Sequence, residues 1–147
     1  MEQKDIIVFI DSATSFFAKM SKTEATVGIP FLMTSPDAVK NDYTGIIGIT
    51  GKKRGLVYFS APERLLRNLL HSIGENTSTN EAMSDLVGEV ANTLAGNARE
   101  YFGSEFIISV PHVIDITGKV KVPATARCYV IPIEWEGQEA NIIISLE

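Results

Sequence analysis

A chain of 147 residues with 45% hydrophobic and 21% charged side chains has the composition of one globular domain and is long enough to bury a proper core. Its net charge of −5 argues against a general nucleic-acid surface, and no apolar run approaches the roughly 18 residues of a membrane span. Cys128 is alone and His71 and His112 lie far apart, which excludes a disulfide framework, a cysteine metal cluster and zinc-type spacing.

The N-terminus, MEQKDIIVF, has only a short apolar run, interrupted by Asp11, Ser12 and Thr14, so it does not read as a signal peptide. Asp5 to Met20 reads instead as a helix with an apolar stripe of Ile6, Ile10, Ala13, Phe17 and Met20, widened by Phe9 and Phe16. Glu24 to Met33 reads as a strand broken at Gly28 and Pro30, which places it at an edge or a bulge. Ser35 to Asp42 is rich in turn formers and reads as a loop. Tyr43 to Thr50 and Gly55 to Phe59 form a predicted hairpin with Gly51-Lys52-Lys53 at its tip. Lys52, Lys53 and Arg54 make a small basic cluster there, read as a solvated turn in preference to a binding patch.

Ser60-Ala61-Pro62-Glu63 has the spacing of a capping box with proline in the first turn, and the helix it opens runs to about Ser72, burying Leu65, Leu66, Leu69, Leu70 and Ile73. Gly74 to Thr77 is a short connection, so no linker divides the chain and residues 1–147 read as a single domain. Ser78 to Gly103 then reads as one long helix. Ser78 and Glu81 have capping-box spacing, and Gly103 stands where a helix end favours glycine. Met83, Val87, Val90, Leu94, Ala98 and Phe102 recur at intervals of three and four, in an apolar stripe roughly 120° wide.

The opposite face of this helix carries the chemistry. With Val87 at zero, Asp85, Glu89, Asn92 and Gly96 project at about 160°, 200°, 140° and 180°. A solvated face would ordinarily carry Lys, Glu, Gln and Ala; this one has Asn92, Thr93 and the interior glycines Gly88 and Gly96, each glycine costing about 1 kcal/mol relative to alanine. That cost is rational if something must approach the helix backbone. Asn97 projects between the stripes, which suits a buried structural hydrogen bond.

After Gly103 the period changes to two. Glu105 to Val110, Val113 to Ile116, Val120 to Val122, Ala126 to Trp135 and Ala140 to Leu146 read as strands, with turns at Gly118 and Glu136-Gly137 and bends at Pro111 and Pro123. Consecutive strands with short turns predict an antiparallel sheet, and the fold class is α+β with three helices packed on it. Ala126 to Trp135 is long enough to extend past its neighbours as an exposed edge.

The spacing Asp85-x-x-x-Glu89-x-x-Asn92, followed by Leu94-Ala95-Gly96-Asn97-Ala98, resembles the signature helix of the CheC/CheX/FliY family of chemotaxis phosphatases, and the order of elements over the whole chain is similar to its small, stand-alone CheX-like branch. Members can carry a second active helix early in the chain. Here Asp11 would open it, but Ser15 and Ala18 stand where Glu and Asn belong, so the first helix reads as structural and the chain as single-sited. The resemblance implies hydrolysis of the phospho-aspartate of a CheY-like response regulator. Asn92 would orient the attacking water, Glu89 would pair with the regulator's lysine, and Asp85, Gly88 and Gly96 would serve docking. It implies no cofactor in this chain, the magnesium belonging to the partner, and it implies a cytoplasmic location. It also implies a homodimer formed by joining sheets, for which the C-terminal region, with its long strand from Ala126 to Trp135, is a plausible place.

On residue types alone, a carboxylate and an amide at i, i+3 are common on solvated faces. No nucleophile with a partner histidine and no phosphate-cradling loop accompanies them. The catalytic reading therefore competes with a non-catalytic domain that sequesters a receiver, and with a purely structural dimer module. Cys128, Phe31, Met33 and Trp135 read as core or interface, and His71 and His112 as structural or surface residues.

Overall fold

The computed structural model describes residues 2–34, 41–115 and 127–146. They form helices α1 (Gln3–Met20), α2 (Glu63–Ser72) and α3 (Asn80–Phe102). The strands are β1 (Thr26–Val27), β2 (Phe31–Met33), β3 (Tyr43–Gly51), β4 (Gly55–Ala61), β5 (Phe106–Ile108), β6 (His112–Ile114), β7 (Cys128–Trp135) and β8 (Gln138–Leu146). The turns expected at Gly118 and Pro123 and the strand expected over 120–122 lie outside the described residues, as does most of the loop expected after Ser35.

All eight strands join one antiparallel sheet in the order β1-β7-β8-β4-β3-β5, with β2 also on β7 and β6 also on β3. The α+β architecture, with three helices and an antiparallel sheet, is the predicted one. The β3–β4 and β7–β8 hairpins are local, and the second turns at Glu136 (φ 49°) and Gly137 (φ 77°), the left-handed pair that a two-residue hairpin requires. Strand β8 returns between β7 and β4, and β5 and β6 both pair with β3 on either side of Pro111 rather than with each other.

The expected free edge on the strand ending at Trp135 is not there. Strand β1 pairs with β7 at Ile133 and Glu134, β2 pairs with it from Cys128 to Val130, and Gly28 N donates to Pro132 O at 2.8 Å between them. The two short strands flanking Gly28 and Pro30 thus occupy the edge that sheet joining through β7 would need.

Alternate residues of the central strands face two clusters. Ile47, Val57, Phe59, Ile131, Ile133, Ile142 and Ile144 meet the helices, and Tyr58, Cys128, Val130 and Ile143 are buried on the other face. Burial on both faces explains runs such as Ile142-Ile143-Ile144 without polar alternation. Trp135 is a core residue whose indole Nε1 donates to Thr23 O at 3.0 Å and to Ser21 Oγ at 3.2 Å, tying the end of β7 to the segment after α1. On α1 the buried stripe runs through Ile6, Phe9, Ala13, Phe16 and Phe17, while Ile10 and Met20 are only half-buried.

Two helix starts differ from expectation. Ser60 belongs to β4, where its hydroxyl bonds Thr44 Oγ1 at 2.9 Å and accepts from Asn41 N at 2.7 Å, so it does not cap α2. The Asp42 carboxylate, from another part of the chain, accepts from Glu63 N at 2.9 Å instead. Helix α3 is capped by Thr79, which accepts from Ala82 N at 3.1 Å, one residue after the expected Ser78.

Helix α3 lies directly on β3. A Cβ added at Gly45 would stand 2.5 Å from Val87 O and 3.1 Å from Ala91 Cβ, so the backbones meet where β3 has no side chain. Replacing Gly45 by alanine is expected to lower unfolding stability by about 1–3 kcal/mol through overpacking. A urea midpoint equal to that of the parent chain would mean that the helix is not seated at this depth.

Candidate functional site

Helix α3 is held from below and at both ends. Met83, Leu86, Val87, Val90, Ala91, Leu94, Ala95 and Ala98 are buried. This stripe is wider than the spaced set read from the sequence, because α1 and α2 pack on the helix as well as the sheet. At its start, Tyr43 Oη donates to Asn80 Oδ1 at 2.7 Å, and Asn80 Nδ2 donates to Asp115 Oδ2 at 3.3 Å, linking β3, α3 and the chain just past β6. Burial raises the Tyr43 phenol above its ordinary value, and the Glu63, Asp115 and Asp42 carboxylates add to the shift, so the hydroxyl keeps the proton it donates. Further along, Asn97 Nδ2 donates to the buried Ser12 Oγ at 2.6 Å and joins α3 to α1. The structural bond expected of Asn97 is present, although the residue itself is exposed.

Asp85, Glu89 and Asn92 are exposed on the outer crest, and among the described residues their side chains make no hydrogen bond or ion pair. Glu89 and Asn92 are one turn apart, which puts their Cβ atoms roughly 5–6 Å from each other. Two polar side chains without an internal partner thus project from a helix whose underside is fixed. Such an arrangement is able to present polar groups to a docking molecule without reorganising the scaffold. Gly96 is half-buried on the same face, and among the described residues a Cβ there would meet nothing within 4 Å beyond the helix's own backbone.

Gly88 is placed differently from its sequence reading. It is buried, not on the open crest, and an added Cβ would lie 3.0 Å from Val113 Cγ2 and 3.7 Å from Pro111 Cβ. The close approach expected at this glycine is made by β6 of the same chain, so Gly88 offers no surface for docking. Val113, which pairs with Gly45 across the sheet, had no signal of its own in the sequence. Among the described residues no group of three or more His, Cys, Asp or Glu could hold a metal ion, and no helix is long and apolar enough to cross a membrane. On α1, the crest positions Asp11 and Ala18 are exposed and Ser15 is half-buried.

The two interior glycines are separable by stability. Gly96→Ala is expected to raise unfolding stability by about 1 kcal/mol, the ordinary helix-propensity gain. Gly88→Ala gains less, or loses, because the Val113 methyl must move. Chemical denaturation of the two variants side by side checks the order.

Comparison with known proteins places these observations. The family model described as chemotaxis phosphatase CheX matches residues 43–134, from β3 through α3 to β7. A CheC-like superfamily protein from Shewanella sp. PV-4 is 27% identical, with a TM-score of 0.86 over 100% of this chain and 99% of that one. A chemotactic CheC-like protein from Shewanella oneidensis MR-1 is also 27% identical, with a TM-score of 0.84 and full coverage of both chains. The chain is similar in fold, at 20% identity, a TM-score of 0.75 and 97% coverage of each chain, to a protein solved in the CheX–CheY–BeF3–Mg2+ complex of Borrelia burgdorferi. No curated protein sequence matches significantly. With more than half of its length matched by the family model, and with the crest of α3 carrying Asp85, Glu89 and Asn92 in open view, the chain belongs to the CheX family of chemotaxis phosphatases.

Proposed function

We propose that this chain dephosphorylates a CheY-like response regulator, acting on its phospho-aspartate with the crest of α3. The observation that carries the reading is the pair Glu89 and Asn92, exposed and without an internal partner on a helix fixed from below, in a chain of the CheX family. A CheY partner is the one named in the B. burgdorferi complex, whose CheX fold this chain shares.

Hydrolysis of an acyl phosphate through a loose transition state needs positioning more than covalent help. The Asn92 amide offers one acceptor and two donors, enough to hold a water in line with the leaving oxygen and to orient its protons. It takes no proton at neutral pH, and a dissociative transition state does not require it to. Glu89, one turn earlier, pairs with the regulator's lysine and sets the depth at which the helix enters the partner's site. Asp85, a further turn along the crest, supports docking, and Gly96 leaves room for a partner loop near the helix backbone. The magnesium ion belongs to the regulator, and this chemistry belongs in the cytoplasm. Self-association is part of the proposal, but through an edge other than β7. Among the described residues both sheet edges are open on one side, β2 with Phe31 41% and Leu32 52% exposed and β5 with Ile107 52% exposed, and we take β2 as the candidate.

The test is the rate of phosphate loss from a panel of phosphorylated receiver domains of the same organism. At least one receiver is expected to lose phosphate faster with the parent chain. Asn92→Ala should retain binding of that receiver and lose on the order of 10²-fold in acceleration, the scale of a misplaced reactant. Glu89→Ala should weaken binding as well as rate. A receiver that binds without acceleration would make the chain a sequestering domain, and no binding at all would leave a fold without this function.

A further inference from the structure

A second concavity lies at the far end of α3 from Asp85, between the C-terminus of that helix, the N-terminus of α1 and the tip of the β3–β4 hairpin. It is an open cleft of about 490 Å³, within the size range of small-molecule sites. Its apolar part is aromatic. Phe102 and Phe106 stack at 4.9 Å between ring centroids, and Tyr101 stands edge-on to Phe102 at 4.9 Å and is 48% exposed. The hairpin lines it with Lys52 and Lys53, the cluster that reads from the sequence as a solvated turn. Lys53 Nζ lies 5.3 Å from the Phe102 ring centroid, and among the described residues neither lysine pairs with a carboxylate.

The α1 end is the acidic side. Glu2 and Asp5 close a capping box, with Glu2 N donating to Asp5 Oδ2 at 2.9 Å, and Lys4 Nζ holds Glu2 Oε2 at 3.2 Å. A carboxylate offers about four acceptor positions, so both acids keep lone pairs for a further donor. The cleft therefore combines two cations without acidic partners, an exposed aromatic ring over an aromatic floor, and carboxylates with acceptor capacity left.

We propose that this cleft binds a nucleotide whose base carries an exocyclic amino group. The phosphate pairs with the Lys52 and Lys53 ammonium groups, the base stacks on Tyr101, and the amino group donates to Glu2 or Asp5. An anion alone would satisfy the lysines but leave the ring unused, and an uncharged aromatic would leave the lysines unused. Tyr101 is nine residues beyond Asn92, about 14 Å along the helix, so an occupied cleft leaves the crest open. The proposal does not depend on phosphatase activity.

Calorimetric titration of the full chain with AMP, adenosine and inorganic phosphate, accompanied by amide chemical-shift mapping with AMP, tests it. AMP is expected to bind saturably, with shifts concentrated at residues 51–54 and 101–106, and about tenfold more tightly than either adenosine or phosphate. The double variant Lys52→Gln/Lys53→Gln should lose about tenfold in AMP affinity, and Tyr101→Ala should weaken AMP while leaving phosphate unchanged. Thermal unfolding of each variant verifies that it is folded; if Tyr101→Ala is not, Tyr101→Leu replaces it. No saturable AMP binding at millimolar concentration, phosphate binding as tight as AMP, AMP affinity unchanged in the folded variants, or shifts centred on residues 85–96 would each overturn the assignment.

Discussion

The structure depends on one close approach of backbones. At Gly45, strand β3 presents no side chain, and the carbonyl oxygen of Val87 lies 2.5 Å from where a Cβ would stand. The neighbouring strand brings Val113 opposite Gly45, and its methyl fills the space left open at Gly88 of the helix. Two missing side chains, one on the strand and one on the helix, thus seat the Val87–Gly88 turn of α3 in a saddle made by β3 and β6. Packed interiors deform little, so a helix seated in this way has one depth and one rotation. The rotation decides that Glu89 and Asn92 point outward.

This seating divides the labour around the circumference of α3. The underside has apolar side chains from Met83 to Ala98, and the ends are tied by Tyr43–Asn80–Asp115 at the start and Asn97–Ser12 further on. These polar ties use their donors and acceptors internally and are scaffold. Among the described residues the crest side chains of Asp85, Glu89 and Asn92 use none of theirs internally. The proposed reaction relies on the position of a water and a charge, which suits side chains carried on a fixed helix.

Much of this was legible in the chain, for reasons that also explain the failures. Helical period placed all three helices to within two residues at either end, because a buried stripe constrains many residues at once. The crest was legible because side-chain angle follows from residue number on a helix. Caps depend on single side chains with competing partners, and they went wrong. Ser60 was drawn into β4 by Thr44 and Asn41, and the first N–H of α2 found Asp42 instead. Strand order was illegible because β8 enters between β7 and β4, and β5 and β6 return to β3, through pairings remote in sequence. At Gly88 the inference of a close approach was right in kind and wrong in partner: a glycine says that something is near, not whether it comes from the same chain.

The same distinction bears on Gly96. Beyond the helix's own backbone, no described residue comes within 4 Å of a Cβ placed there, so packing among the described residues gives no reason for glycine in the middle of a 23-residue helix. Gly88 repays its conformational entropy through the contact with β6, while Gly96 has no internal compensation for about 1 kcal/mol of lost helix propensity. On the proposed function, this unfavourable choice on an open face, one turn beyond Asn92, leaves room for a partner to approach from outside. Under that proposal, the absent side chain at Gly96 and the donors and acceptors of Glu89 and Asn92 describe one contact surface from two directions, shape and polarity. A partner that needs the second also has room made by the first.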